Sequence, residues 1–176
     1  MPRLRNFFLY FAPLLCANVA AHGVGPEAAV ETVAAHGVEQ DVVLEQRPSG
    51  GLYVNARIGA ETPSAFLVDT GAGYSSISQK LFRRLQRKNA LVHIDRVAAR
   101  MADGRLRAMD IYQAQSLQVG DNCELGPVEV AVLPGSQRNI LGMSALAKAA
   151  PFMLGVNPPS MRLSHCAVAL TQLGES

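Results

Sequence analysis

One acidic side chain stands directly after a short apolar segment, in a position that suits acid–base chemistry. Residues 66–68 are Phe, Leu and Val, a pattern typical of a buried strand, and Asp69 follows them at once. A carboxylate held where water is scarce can take up and release a proton during a reaction. Thr70 can fix the turn by bonding to nearby backbone, and Gly71 lets a second backbone come close. The alternative is an acid that only caps a turn.

A second segment, far along the chain, favours the catalytic interpretation. Residues 140–142 form an apolar-apolar-glycine step, made of Ile140, Leu141 and Gly142. Its glycine, Gly142, lies 71 residues after Gly71. Together with the order Asp-Thr-Gly-Ala at residues 69–72, this step resembles the aspartic peptidases, in which it packs beneath the catalytic loop. Because the chain has a single Asp-Thr-Gly, the resemblance is to the single-lobed retropepsin-like peptidases, and most to their small bacterial exported members.

The resemblance covers roughly residues 41–166 and implies a fold. It implies a mostly β protein, a retropepsin-like closed β-barrel or sheet lobe with one or two short helices, active as a twofold dimer. The expected function is that of an aspartic endopeptidase, in which a water is activated between two Asp69 carboxylates, one from each chain. The expected partners are a protein or peptide substrate and a second copy. Neither a metal nor another cofactor is required.

Neighbours of the acid refine this expectation. In the family, the residue matching Thr70 bonds across the dimer. Ala72 matches the retroviral members, whereas many acid-active pepsin-type members carry Ser, whose hydroxyl can stabilise the ionised acid. We therefore expect activity at mildly acidic to neutral pH. Gly73 stands where Ser or Thr is common, which predicts a looser loop.

An Asp-Gly pair predicts a hairpin between strands at residues 92–101 and 106–119. The resemblance makes this hairpin the flap that closes over the substrate; the alternative is an ordinary hairpin. Basic side chains at positions 100, 105 and 107 would then favour acidic side chains in the substrate. The tip of the flap is predicted to comprise Ala102, Asp103, Gly104 and Arg105.

The remaining elements are predicted from periodicity and turn residues. Ser78 is a plausible N-cap for a helix over residues 79–88, and a second short helix is expected over 144–149. The last two strands could join the sheet that binds the two subunits. Further strands are predicted over residues 41–46, 52–58, 73–77, 128–133, 152–154 and 161–163.

Residues 1–21 resemble a secretory signal, with two Arg, an apolar run and a small-residue cleavage site. We expect export, to a bacterial periplasm; if the leader is retained, the protein is anchored to the membrane instead. Membrane contact is otherwise not expected. Residues 22–40 are predicted to be a flexible N-terminal segment or a pro-segment, and residues 41–170 the peptidase domain.

Loss of the leader removes Cys16 and leaves Cys123 and Cys166. In an oxidising compartment this pair suggests a disulfide, the alternative being two buried thiols.

Charge and composition limit the number of domains and the kinds of partner that the protein can have. The chain has 176 residues, 49% of them hydrophobic, enough for one domain with a real core. Without the leader it carries 14 basic and 14 acidic side chains, so a whole-protein nucleic-acid footprint is absent. Residues 80–107 nevertheless hold nine basic and two acidic side chains. This cluster indicates either a solvated helix face or contact with an anionic membrane or an acidic partner.

Other chemistries fit poorly. Residues 73–77 approach the Gly-x-Ser-x-Gly elbow of serine hydrolases, but Ile77 replaces the second glycine. Ser76 likewise replaces the third glycine of a dinucleotide-binding turn. The four His are scattered, and no zinc-binding spacing is present. The serious competitor is a non-catalytic retropepsin-like module that binds peptides by strand addition or serves assembly.

Overall fold

The computed structural model describes residues 37–101 and 103–167. Thirteen strands and two helices make up this part of the chain, together with a 3-10 turn at Ala147–Ala149. The helices are α1 (Gln79–Arg87) and α2 (Met143–Leu146). The strands are β1 (Val38–Val43), β2 (Glu45–Gln46), β3 (Leu52–Ile58), β4 (Ser64–Val68), β5 (Ser75–Ile77), β6 (Leu91–Arg100), β7 (Leu106–Ala114), β8 (Leu117–Val119), β9 (Cys123–Leu125), β10 (Val128–Val132), β11 (Asn139–Leu141), β12 (Phe152–Val156) and β13 (Pro159–Cys166).

The strands form two sheets that share one core. The larger sheet has the order β6-β7-β10-β5-β11-β4-β3-β8-β9, with β2 added to β3, and the smaller one has the order β1-β13-β12. Most buried side chains of both sheets belong to one apolar cluster, in which Phe66 and Ile77 of the larger sheet join Met161 and Leu163 of the smaller. A smaller second cluster on the larger sheet is built from Met109, Ile111 and Ala131. The mostly β fold expected from the sequence is therefore confirmed.

The expected closed barrel is wrong, because the larger sheet is open. A barrel closes only when its first and last strands pair, and here β6 and β9 lie at opposite ends of the strand order. Instead, β6 pairs with β7 along nearly its whole length as a hairpin. Meanwhile β9 is tied to the smaller sheet, because Glu124 and Ala167 exchange backbone hydrogen bonds of 3.2 and 2.9 Å.

A disulfide joins Cys123 of β9 to Cys166 of β13 across 43 residues of chain. The pair suggested by the sequence is thus bonded in the structure, and it links the two sheets. Both cysteines are buried.

Several predicted boundaries change. The strand predicted over residues 106–119 is two strands, because the chain bends at Gln115 and the pairing is interrupted until Leu117. After the bend β8 leaves β7 and pairs with β3 and β9 instead. Residues 38–40, assigned from the sequence to the N-terminal segment, already form part of β1. The second helix is shorter than predicted and ends in the 3-10 turn.

The predicted signal at residues 1–21, most of the segment 22–40 and the domain's last residues, 168–170, lie outside the described part of the chain. Among the helices that the structure describes, none is both long and apolar enough to cross a membrane.

Helix α1 follows the sequence prediction closely. Ser78 is its N-cap, and the Ser78 hydroxyl accepts a hydrogen bond from the backbone N–H of Leu81 at 3.3 Å. Leu81 and Leu85 are buried on one face, as their spacing predicts.

Candidate active site

Asp69 emerges where β4 ends, beside the neighbouring strand β11. Strand β11 runs parallel to β4, and the Asp69 backbone N–H donates to the carbonyl of Leu141 at 3.0 Å. The Gly71 backbone N–H donates to Asp69 Oδ1 at 2.9 Å. The Asp69 side chain is half-buried, whereas Thr70 is exposed. One carboxylate oxygen is thus fixed by the turn, and the group keeps access to solvent.

Gly142 lies directly beneath the loop that carries the acid. The carbonyl of Ala72 accepts from the Met143 N–H at 2.8 Å, and that of Gly73 accepts from the Ser144 N–H at 2.9 Å. A Cβ on Gly142 would lie 2.5 Å from the carbonyl oxygen of Tyr74, closer than real Cβ atoms approach. Only glycine lets the two segments meet at this distance. The predicted pairing of residues 69–72 with residues 140–142 therefore appears as direct backbone contact.

Two serines that the sequence did not single out for this role complete the contact. Ser75 is buried; its hydroxyl accepts from the Gly142 N–H at 3.1 Å and donates to the Gly142 carbonyl at 3.3 Å. The Ser144 hydroxyl accepts from the Ser75 N–H at 2.8 Å and donates to the Glu129 carbonyl at 2.8 Å. Ser75 is thus satisfied inside the protein, which argues against a serine nucleophile at residues 73–77.

The glycines of the loop differ in how much space they need. A Cβ on Gly71 would come 3.2 Å from Asp69 Oδ1, so this position favours glycine for the close approach. A Cβ on Gly73 would meet nothing within 4 Å. Because the Gly73 carbonyl is hydrogen-bonded to Ser144, the loop is anchored at the position where the sequence predicted loosening.

The end of the β6–β7 hairpin forms the tight turn that Asp103 and Gly104 predict. Gly104 has a φ of 79°, and its N–H donates to the Met101 carbonyl at 2.9 Å. The Asp103 carboxylate accepts from the Arg105 N–H at 3.0 Å, and the Arg100 guanidinium donates to the Gly104 carbonyl at 2.9 Å.

Ala102, part of the predicted flap tip, lies outside the described residues. Within residues 37–101 and 103–167, no hydrogen bond or ion pair joins this turn to the loop at residues 69–72.

Asp69 has no cationic neighbour at ion-pair distance in the part of the chain that the structure describes. The same residues contain no group of three or more His, Cys, Asp or Glu arranged to hold a metal ion. What the site offers is a half-exposed carboxylate, oriented by backbone donors, on a loop locked to the neighbouring strand. Such a group can serve as a base when ionised and as an acid when protonated.

Known proteins are similar to this chain in sequence and in fold. Residues 54–148 match the family described as "gag-polyprotein putative aspartyl protease". A retropepsin-like aspartic protease from Rickettsia conorii has a crystal structure that superimposes with a TM-score of 0.53 at 19% identity, covering 74% of this chain and 94% of that one. No match was found among curated proteins. The family match covers more than half of the chain and includes Asp69 and Gly142. The chain therefore belongs to the gag-polyprotein aspartyl protease family, and its fold is retropepsin-like.

Proposed function

We propose that this protein is an aspartic endopeptidase that works as a homodimer, with Asp69 of each chain in one active site. One observation carries the proposal: the Asp69 carboxylate stands at the end of β4, half-exposed and bonded to the Gly71 N–H, on a loop fixed against Gly142. A loop held at this many points keeps its carboxylate in one orientation, which is what catalysis by positioning requires.

The chemistry needs two carboxyl groups in different protonation states. Two carboxylates about 3 Å apart cannot both ionise easily, so they share one proton. The ionised Asp69 takes a proton from a water held between the two chains, while the neutral one donates a hydrogen bond to the substrate carbonyl. The water oxygen bonds to the carbonyl carbon to give a tetrahedral intermediate. The Asp69 that took the proton from the water then gives it to the amide nitrogen, the C–N bond breaks, and the amine and the carboxylic acid are released.

Two surface features support assembly into a dimer. Thr70 is exposed beside the acid and is free to meet the same loop of a second chain. Strand β12 lies at the edge of the smaller sheet, and Met153, Leu154 and Val156 on it are 62%, 37% and 62% exposed. An exposed apolar edge strand is a template for pairing with another chain. We therefore place β12 in the subunit interface.

The β6–β7 hairpin is the proposed flap over an extended peptide substrate. Arg100 and Arg105 are engaged with the turn itself, whereas no carboxylate in the described residues lies at ion-pair distance from Arg107. Arg107 is therefore the side chain that we expect to favour acidic residues in the substrate.

We further propose that the protein acts after export, in an oxidising compartment such as a bacterial periplasm. The disulfide between Cys123 and Cys166 supports this, because disulfides form and persist mainly in such compartments.

Cleavage of a mixed peptide library by the parent protein and by the Asp69→Asn variant tests the function. The assay runs from roughly pH 4 to pH 8 at several protein concentrations, with circular dichroism as the check that both proteins are folded. The proposal expects cleavage by the parent alone, rising more than linearly with protein concentration. If neither protein cleaves while both are folded and dimeric, the peptidase proposal fails and a non-catalytic peptide-binding module takes its place.

A further inference from the structure

A basic cleft lies between α1 and the ends of two strands, apart from the residues around Asp69. Its volume is about 830 Å³. The cationic wall comes from α1, and the opposite wall comes from β7 and from the turn that follows β10. The cleft is lined by Gln79, Lys80, Phe82, Arg83, Arg84, Arg87, Asp110, Tyr112, Val132, Pro134, Gly135 and Gln137.

Three of the basic side chains are available to a ligand. In residues 37–101 and 103–167, no carboxylate lies at ion-pair distance from Lys80, Arg83 or Arg87. The other cation of the lining, Arg84, is already engaged, because its Nε lies 3.3 Å from an oxygen of Glu61. The cleft therefore presents a net positive charge that this part of the chain does not neutralise.

The one acidic side chain that lines the cleft, Asp110, already lies beside a basic side chain. Asp110 Oδ1 lies 3.2 Å from Arg96 Nε and 3.5 Å from His93 Nε2. Its negative charge is thus offset by the guanidinium of Arg96 on the neighbouring strand, and it opposes an incoming anion less than a bare carboxylate would.

The floor of the cleft is apolar and aromatic. The rings of Phe82 and Tyr112 pack with centroids 5.1 Å apart at 53°, and Val132 and Pro134 continue the same surface. Guanidinium groups beside such a floor suit a ligand that carries both carboxylates and apolar side chains. A concave cleft favours a peptide segment over the flat surface of a membrane.

The strand directions place the start of α1 away from the acid. Strand β11 runs parallel to β4 and antiparallel to β5. Asp69 follows the end of β4, whereas α1 follows the end of β5, so the two lie at opposite ends of these strands. A peptide seated in the cleft would therefore leave the loop of Asp69 free.

We propose that this cleft binds an acidic segment of a protein substrate, separate from the segment that is cleaved. That the bound segment belongs to a substrate rests on the proposed peptidase function, whereas the binding of an acidic peptide does not depend on it. An acidic segment held here would raise the local concentration of the attached scissile segment. Proteins with such a segment would then be cut at lower concentrations than short peptides that share only the cleavage sequence.

The test measures binding without turnover, on the full chain carrying Asp69→Asn. The probe is a short fluorescein-labelled peptide rich in Glu with two Phe, and the matched control peptide has Gln in place of every Glu. Fluorescence anisotropy compares this protein with a version that also carries Arg83→Gln and Arg87→Gln. The control protein carries Arg57→Gln and Lys148→Gln, which remove the same charge from exposed positions outside the cleft.

We expect the acidic peptide to bind, and the Gln peptide to bind at least about tenfold more weakly. The protein with Arg83→Gln and Arg87→Gln should lose about tenfold in affinity for the acidic peptide. The affinity of the control protein should change by less than about twofold. Equal binding of the two peptides, or equal loss in the two variant proteins, would overturn the proposal. Binding to phosphatidylglycerol vesicles but not to the peptide would overturn it in favour of a membrane surface. Because cleavage is assayed separately, on the mixed peptide library and with the parent protein, failure here is distinguishable from failure of the peptidase proposal.

Discussion

At the scale of single residues, the position of Asp69 depends on what lies beneath its loop. The acid itself has two neighbours that hold it, the Leu141 carbonyl and the Gly71 N–H. The loop's own carbonyls are held in turn by the backbone that follows Gly142. The orientation of the carboxylate is thus set by backbone groups, so it depends on how closely the two backbone segments approach each other.

Some of the contacts around Asp69 could be predicted from the sequence, and others could not. Residues 69–72 and 140–142 could be paired from the sequence because glycine and acid types stand at a spacing typical of a family. The contact between Ser75 and Ser144 could not be predicted, because no periodicity or spacing in the sequence connects a serine in a short strand with a serine in a helix. Their hydrogen bond exists only because the fold brings together positions 69 residues apart.

Gly142→Ala tests the close approach beneath the loop. The added Cβ would overlap the Tyr74 and Ala72 carbonyls, at 2.5 and 2.8 Å, so the loop must shift. We expect a loss of about 1–3 kcal/mol in the free energy of unfolding, and a fall of about 100-fold in kcat because the carboxylate is displaced. Urea unfolding and peptide cleavage measure the two effects.

The matched control is Gly126→Ala, at a glycine where a Cβ would meet nothing within 4 Å. This change should leave both quantities nearly unaltered. Equal behaviour of the two variants would contradict the role given to Gly142.

At the scale of elements, α1 is attached to the turn after β3 by one buried carboxylate. Glu61 is only 6% exposed, and its oxygens lie 2.6 Å from Lys88 Nζ and 3.3 Å from Arg84 Nε. The helix and its cap were predictable from Ser78 and the spacing of Leu81 and Leu85. The contact that Glu61 makes with the helix was not predictable, because Glu61 lies in a turn whose sequence does not indicate which helix packs against it.

The pH dependence of stability follows from that cluster. The hydrogen bond from Lys88, with the nearby charges of Lys88, Arg84 and Arg87, lowers the pKa of Glu61 below its ordinary value of 4.5 against the opposing effect of burial. A carboxyl group with a lowered folded-state pKa stabilises the protein above its unfolded-state pKa. That stabilisation is lost as the pH falls through the folded-state value.

Glu61→Gln should therefore lower the urea midpoint at pH 7, and the difference from the parent should shrink as the pH falls below 4.5. The control is Glu45→Gln, which removes an exposed carboxylate 3.3 Å from Arg47 and should have little effect. A Glu61→Gln difference that stays constant from pH 7 to low pH would contradict this explanation.

At the scale of the whole molecule, two sheets share one core and are joined by a disulfide. The fold class could be predicted from the family resemblance, and the cysteine pair from the cysteine count once the leader is removed. The open edge could not, because barrel closure depends on which distant strands pair, and alternation within a strand does not specify its partner. Here β9 pairs with β8 and contacts the end of β13 rather than β6.

Removal of the disulfide tests how far it stabilises this arrangement. Cys123→Ser combined with Cys166→Ser opens a loop of 43 residues, and the chain-entropy model gives a loss of about 3–4 kcal/mol. Urea unfolding of the double variant measures the loss, and the parent in reducing buffer should behave like the variant. An unchanged urea midpoint would contradict the stabilising role.

Substitution on β12 tests the proposed interface. Met153→Lys with Val156→Lys places two like charges on the exposed edge, so the dimer should dissociate and its Kd should rise on the order of 100-fold. Sedimentation velocity measures the state of assembly. Val92→Lys with Ile94→Lys makes the same change at exposed positions on β6 and should leave the dimer intact; dissociation of both variants alike would count against the β12 interface.

The central claim is that two chains each supply one Asp69 to a single active site, and a mixing experiment tests it most directly. Parent and Asp69→Asn proteins are mixed in equal amounts at constant total concentration, allowed to exchange subunits, and assayed for peptide cleavage. Random pairing leaves about one quarter of the dimers with two Asp69, so activity should fall to about one quarter of that of the parent alone. Activity of about one half would mean that each chain works by itself, and would contradict the shared site.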